Sequence, residues 1–459
     1  MKRNTFLLLA IIVLFNYSGT AKSNPIPNPP KALSTYSLTV FDEILFYDGY
    51  NGTVMLQNPP PGVICHRNDL YAKKLTDEQL ASFGSTLSMN VTVKASCDNY
   101  DRIGNVNIAL VPKGSATYVP ANVQRIELAR FITPFMNKNI SPTQVPYSYS
   151  LPNVAKMFKD PAIISVYDIW VELEIFGVPY AANTQVAGCA NRSDVFFGTL
   201  QFTSDTTYPA DPDNYLLPLN FKKDLNNYTV GATDVIGQTV RTINLNLPAP
   251  VYGAELYLIT SNHGSNSGGE EYNRRFHYVY FDNSLKLTYK PGSLTCEPFR
   301  VYNTQGNGIY GPTPMTPAQW QFFSNWCPGD VIPIRIIPLG NLAAGNHTFK
   351  ISVPNAVFAQ QQGYIPVSLY LQGRLIEFSL GVDELSKNEF TVFPNPTANL
   401  IKVQSEQQIK HIQVFNLLGQ QILKVDKDSV DLSNVSKGTY MIQVEFSNGK
   451  TASQKIIRE

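Results

Sequence analysis

Residues 97–111 read CDNYDRIGNVNIALV. From Ile103 onward apolar and polar residues alternate, with Val106, Ile108 and Leu110 on one side and Asn105 and Asn107 on the other. A period of two puts successive side chains on opposite faces of an extended chain, so this run is a β-strand. Just ahead of it stand Asp98, Asp101 and Arg102. The strand indicates the fold class, and the charge at its mouth raises the question of chemistry.

Working outward, the same grammar recurs. LSMNVTVKA (87–95), WVELEIF (170–176), VFFGTLQF (195–202), TINLNL (242–247) and AELYLIT (254–260) alternate or are rich in β-branched residues, and Gly, Pro, Asn and Asp break the runs. TDEQLASF (76–83) reads as one short helix with Thr76 as its cap. Many short strands with regular turn signals predict an all-β chain of jelly-roll sandwiches. The loop-like TSDTTYPADPDN (203–214) separates two of them. The expected layout is a signal peptide over 1–22, a Pro-rich spacer over 23–35, a first jelly roll over 36–203 and a second over 204–376. A linker over 377–389 and a small C-terminal β-sandwich over 390–459 complete it.

The signal peptide is read from Lys2 and Arg3, the apolar run Phe6 to Phe15 and the small residues Gly19, Thr20 and Ala21. Export permits disulfides, and the chain holds five cysteines, Cys65, Cys97, Cys189, Cys296 and Cys327. No C-x-x-C and no paired histidines occur, so no metal site is expected. A net charge of +1 without a basic block argues against a nucleic-acid partner.

The last unit resembles the C-terminal sorting domain of the bacterial type IX secretion system. FPNPT (393–397), VFNLLGQ (414–420) and KGTYMIQV (437–444) carry the resemblance. It implies contact with that secretion machinery, passage across the outer membrane, and a mature protein that is secreted or on the cell surface.

A second charged mouth lies in LYLITSNHGSNSGGEEYNRRFHYVYFDN (256–283). A strand ends near Thr260, a loop of Gly, Ser and Asn carries His263, and Glu270 and Glu271 stand where the loop re-enters the sheet. Loops on a rigid sandwich are where sites are built. The plainer alternative at both mouths is a solvated turn with inert surface charges.

Here the chain resembles the peptide N-glycosidase F family, amidases that remove N-linked glycans from asparagine. CDNYDRIGNVNIAL followed by IELARFITPF (126–135), then GGEEYNRRFHYVYFDN (268–283), then NWCPGDVIPIRI (325–336), occur in the family's order. The resemblance implies two packed eight-stranded jelly rolls with the site at their interface. It implies Asp101 as the principal catalytic aspartate, Glu271 as its partner, and Arg102 beside the substrate. Tyr272 stands where the family has tryptophan, and Cys296 and Cys327 match a disulfide pair. Tyr180, Tyr272 and Trp326 are candidates for a sugar-facing wall, with His263 a further substrate-binding candidate, because sugars stack on aromatic faces. Hydrolysis of an amide needs no cofactor, and a monomer acting on N-linked glycoproteins is expected.

Departures from the family pattern are visible. The two cysteines that flank the family's glutamate are replaced by Gly269 or Glu270 and by Asn273, which leaves that loop unstapled. Cys97 has Cys65 or Cys189 as its partner, or stays free. A third family acid has no clear match; Asp168, Glu172 and Glu174 are candidates, while the register places Gly177 or Val178 there. A family arginine before the W-C-P-G segment is absent from AQWQFFSN (318–325). Two rival functions follow, a glycosidase using paired carboxylates and a surface glycan-binding protein without catalysis. A copper oxygenase is disfavoured by the scattered histidines.

Overall fold

In the computed structural model the described residues are 35–205, 213–322, 324–375, 390–416, 421–448 and 451–459. The expected signal peptide, the linker over 377–389 and the centre of the loop after residue 205 lie outside them.

The first sandwich holds β1 (Thr35–Tyr47), β2 (Val63–Arg67), β3 (Leu70–Lys74), β4 (Ser88–Ala95), β5 (Ile103–Pro112), β6 (Gln124–Ile132), β7 (Gln144–Ser150), β8 (Tyr167–Ile175) and β9 (Asp194–Asp205). The second holds β10 (Asn214–Leu225), β11 (Val240–Leu247), β12 (Val251–Thr260), β13 (His277–Phe281), β14 (Ser284–Tyr289), β15 (Val331–Ile332), β16 (Arg335–Leu342), β17 (Gly345–Ser352) and β18 (Ile365–Arg374). Among its described residues the C-terminal unit contains seven further strands in a three-stranded and a four-stranded sheet, around a core that includes Ile401, Ile412, Val444 and Ile456.

All of the strand pairing in the two sandwiches is antiparallel. The first stacks the sheet β1-β9-β4-β7 on β6-β5-β8-β3-β2; the second stacks β10-β18-β12-β16 on β11-β17-β13-β14. The two sheets of the second thus hold eight of its nine described strands. The first has nine of its own, and the two-residue β15 of the second pairs with its edge strand β6 through Val331↔Phe131 and Ile332↔Arg130. That edge is where the two sandwiches join.

The alternation explains which face goes where. Val106, Ile108 and Leu110 of β5 enter the core between the sheets, with Phe46, Leu173 and Phe202. Each such side chain taken fully out of water contributes about 1.5–3 kcal/mol. The other face of β5 and β8 carries Asn105, Asn107, Glu172 and Glu174, all buried as well. This second face is covered by Tyr118 and by Phe221 and Lys222 of β10. A sheet buried on both sides must pair its polar residues, and the pairing of each one becomes the issue. The short helix α1 (Asp77–Ser82) is present, and Thr76 caps it by accepting from the Gln79 amide at 3.2 Å.

Candidate active site

The turn before β5 is held from behind. Cys97 is bonded to Cys189, which leaves Cys65 as the free thiol. Asp98 is fully buried, and its carboxylate accepts from the Val178 amide at 2.6 Å and the Tyr100 amide at 2.9 Å. It also takes Arg102 Nε at 2.7 Å. The arginine's ion partner is therefore Asp98 rather than the adjacent Asp101, because a turn three residues long brings Asp98 back under the guanidinium. Arg102 is anchored further by its backbone, which exchanges bonds with Thr133 at 2.7 and 2.8 Å.

Among the described residues Asp101, half-buried, makes no ion pair of its own. Burial pushes its carboxyl up to about 8; Glu271 adds to this and Arg102 only partly opposes it. Adjacency in the sequence would have Arg102 hold this aspartate charged, but burial outweighs the arginine.

The second mouth comes from the second sandwich. β12 ends at Thr260, and His263 then pairs with Tyr364 through two backbone bonds of 3.0 Å. The approach of these two backbones requires Gly363, which has φ +92° and whose added Cβ would lie 2.2 Å from the His263 carbonyl oxygen. Glu270 and Glu271 sit on one 3-10 turn and face opposite ways. Glu270 is buried against Arg275 at 3.2 Å and the Val357 amide at 2.8 Å, which makes it the structural acid. Glu271 accepts from the Gly264 amide at 3.4 Å and from the Tyr272 hydroxyl. Burial raises its pKa, and these two donors only partly offset that.

The loop lacks the family's disulfide, as its sequence implies, but it is not left unstapled. Asn325 Nδ2 donates to the carbonyls of Glu270 and Glu271, and the Asn325 amide to Glu271 at 3.0 Å. Asn273 Nδ2 donates to Gly269 at 2.6 Å. Side-chain amides take over the cysteines' task, a substitution the sequence displays only as missing sulfur.

The two mouths open on one cavity of about 350 Å³ at the junction of the sandwiches. Asp101, Arg102 and Tyr180 line it from the first; His263, Glu271, Tyr272 and Trp326 line it from the second. All seven candidates from the sequence are thus together. Tyr100, Phe135, Ile309 and Asn307 complete much of the wall. Asn307 Nδ2 has no protein partner among the described residues. Asn307 and Ile309 lie on the segment closed by the Cys296–Cys327 disulfide, which forms as the resemblance implied.

None of the three candidates for a third acid reaches this wall. Asp168 sits at the far end of β8, opposite Val111, and is held by the Gly114 amide at 2.9 Å and by Lys113 and Lys74. Glu172 binds Tyr118 at 2.7 Å and Arg125 at 2.9 Å. Glu174 binds Lys222 at 2.7 Å and Arg67 at 2.9 Å; burial works against its charge, but the two cations outweigh it and hold the pKa low. At the position the register indicates, Val178 supplies a backbone N–H to Asp98 instead of an acid. Among the described lining residues Arg102 is the one permanent cation.

Comparison with known proteins follows the same lines. Residues 37–191 match the model described as Peptide-N-glycosidase F, N terminal, and residues 233–372 the one described as Peptide-N-glycosidase F, C terminal. Residues 391–459 match the Secretion system C-terminal sorting domain. No curated protein matches the chain. Among solved structures, one of PNGF-II is 20% identical with a TM-score of 0.53, covering 74% of this chain and 66% of its own. A recombinant peptide: N-glycanase F (PNGase F) is 16% identical with a TM-score of 0.46, covering 75% of this chain and 97% of its own. PNGase F from Flavobacterium meningosepticum, described as a glycosylasparaginase, is 14% identical with a TM-score of 0.47 over the same shares. This chain thus spans just under two thirds of the PNGF-II chain, and at that identity the likeness is one of fold.

Proposed function

The chain belongs to the peptide-N-glycosidase F family and ends in a secretion sorting domain, and on that premise we propose that it is an exported amidase that cleaves N-linked glycans from asparagine. One observation carries the reading. Two carboxyl groups from different sandwiches, Asp101 and Glu271, share a cavity, and both have raised pKa values. Burial is the first cause of both shifts, and Glu271 adds to it at Asp101, so ionising both carboxyls together is disfavoured. Such a pair contains an acid and a base at once.

A water oxygen attacks the side-chain amide carbon of the glycosylated asparagine while the ionised carboxylate of the pair takes its proton. The protonated member gives its proton to the departing nitrogen. The C–N bond breaks, leaving aspartate on the peptide and a glycosylamine on the glycan. Arg102, held rigid by Asp98, is the fixed positive charge beside the oxygen that gains negative charge. Tyr180, Tyr272 and Trp326 offer flat apolar faces to the sugar rings.

The test is the purified protein with an N-linked glycopeptide, read by mass. Release of the whole glycan with conversion of asparagine to aspartate is expected. A trimmed glycan with one sugar still on asparagine would replace the amidase reading by a glycosidase. Binding without cleavage would leave a glycan-binding protein, a reading to which the missing third acid gives some weight.

A further inference from the structure

Behind the cavity runs a chain of buried hydrogen bonds whose polarity fixes the state of one histidine. Arg130 is fully buried and can only donate. Its Nε and Nη2 go to Glu127 at 2.8 and 2.7 Å, and its Nη1 goes to the Pro366 carbonyl at 2.9 Å and to Ser261 Oγ at 2.8 Å. Ser261 Oγ then meets His263 Nε2 at 2.7 Å. Among the described residues Ser261 Oγ has these two partners. With Arg130 donating to it, its own hydrogen is used only if His263 Nε2 accepts. Nε2 is then unprotonated, and a neutral ring carries its proton on Nδ1.

The ring cannot turn away from this arrangement. The His263 backbone is bridged to Tyr364, and the ring stacks on Trp326 with centroids 6.1 Å apart and lies tilted against Tyr364 at 5.4 Å. Trp326 is itself pinned by its Nε1 bond to the Asn262 carbonyl at 3.0 Å. The charged and titratable groups around the ring are Arg130 from β6, Tyr364 from the bridging segment and Glu271 across Gly264. Burial and then Arg130 push the ring's pKa down to about 3, so it stays uncharged. His263 lines the cavity, and among the described residues no protein group takes its Nδ1.

We propose that His263 is a tautomer-locked, neutral hydrogen-bond donor that offers Nδ1–H to an amide carbonyl oxygen of the substrate, with Ser261 and Arg130 as positioning residues. The proposal rests on the amidase reading. That substrate has two such oxygens, the carbonyl of the cleaved amide and the acetamido carbonyl of the first sugar. A neutral N–H suits either: it adds no charge that would trap the ground state, and it strengthens as an oxygen gains electrons. His263 is then neither the general base nor the general acid.

The experiment uses protein labelled with 15N-histidine, read by long-range proton–nitrogen correlation across about pH 5 to 8. The His263 signals are assigned by their loss in His263→Asn. A proton on Nδ1 throughout is expected, and its release in Ser261→Ala. A proton on Nε2, or a ring that titrates in this range, overturns the proposal. Kinetics supply the second arm. His263→Phe has no donor and is expected to lose about 100-fold in kcat/KM, whereas His263→Asn, whose amide N–H stands near Nδ1, keeps most of it. A fall in kcat assigns the donor to the cleaved carbonyl and a rise in KM to the acetamido group; a His263→Phe enzyme within about threefold of wild type overturns both. If wild type proves inactive, the amidase reading fails alone, and the Nδ1–H resonance is followed during titration with di-N-acetylchitobiose and its deacetylated form. A shift with the former only sustains the donor; no shift ends the proposal.

Discussion

Two carboxylate pairings lie between the sandwiches, and they are built to opposite rules. Glu127 and Arg130 are three apart on β6 and fully buried, and Ser368 and Ser261 from the second sandwich complete their bonding. Asp101 and Glu271 come from different sandwiches, would carry the same sign if both ionised, and share a cavity with little to offset them. The first arrangement compensates every buried charge; the second leaves charge uncompensated where a ligand has room to enter. A buried group that the fold has not satisfied is the better pointer to chemistry.

The largest expected effect breaks the second pairing. Asp101→Asn is expected to lose about 10²–10⁴-fold in activity with near-UV circular dichroism unchanged. The same variant gains thermal stability as pH rises. The group's ordinary value is 3.8 and the fold raises it to about 8, so charging it favours the unfolded chain. That cost is absent below about pH 4 and grows until about pH 8. Melting curves of variant and wild type are therefore expected to coincide near pH 4 and to separate by a few degrees by pH 8. Separation in the reverse order would sink the account of this site.

Next comes the first pairing. Glu127→Gln strips a buried guanidinium of its counter-charge and is expected to cost about 3–5 kcal/mol in denaturant unfolding. A loss under about 1 kcal/mol would mean that Ser261 and the Pro366 carbonyl suffice for Arg130.

The smallest effect tests where the boundary between the two classes runs. Glu174→Gln, on a strand next to the site but bonded to Lys222 and Arg67, is expected to leave kcat/KM within about threefold and to lower stability by about 1 kcal/mol. A hundredfold loss of activity would make Glu174 a working third acid and redraw the site.

Much of this was legible in the sequence, and the reason is local. A period of two marks a strand wherever it occurs, so β5, β8, β9 and β12 follow from their own residues, as does the capped helix at Thr76. Two charged mouths, the W-C-P-G segment and the sorting tail are also short contiguous signals. What stayed hidden depends on residues far apart in the chain. Adjacency suggests Asp101 for Arg102, and the turn gives it Asp98. Alternation puts Glu172 and Glu174 on one face, but only the docking of β10 decides that this face is closed by Lys222 and Phe221. The Asn325 staple spans more than fifty residues, and the link from Arg130 to Ser261 more than a hundred. By itself the sequence determined the strands, the order of the segments and which side chains are candidates for chemistry. The tertiary structure alone decided which charges are paired and which are left to act, because that depends on register and on where two sandwiches meet.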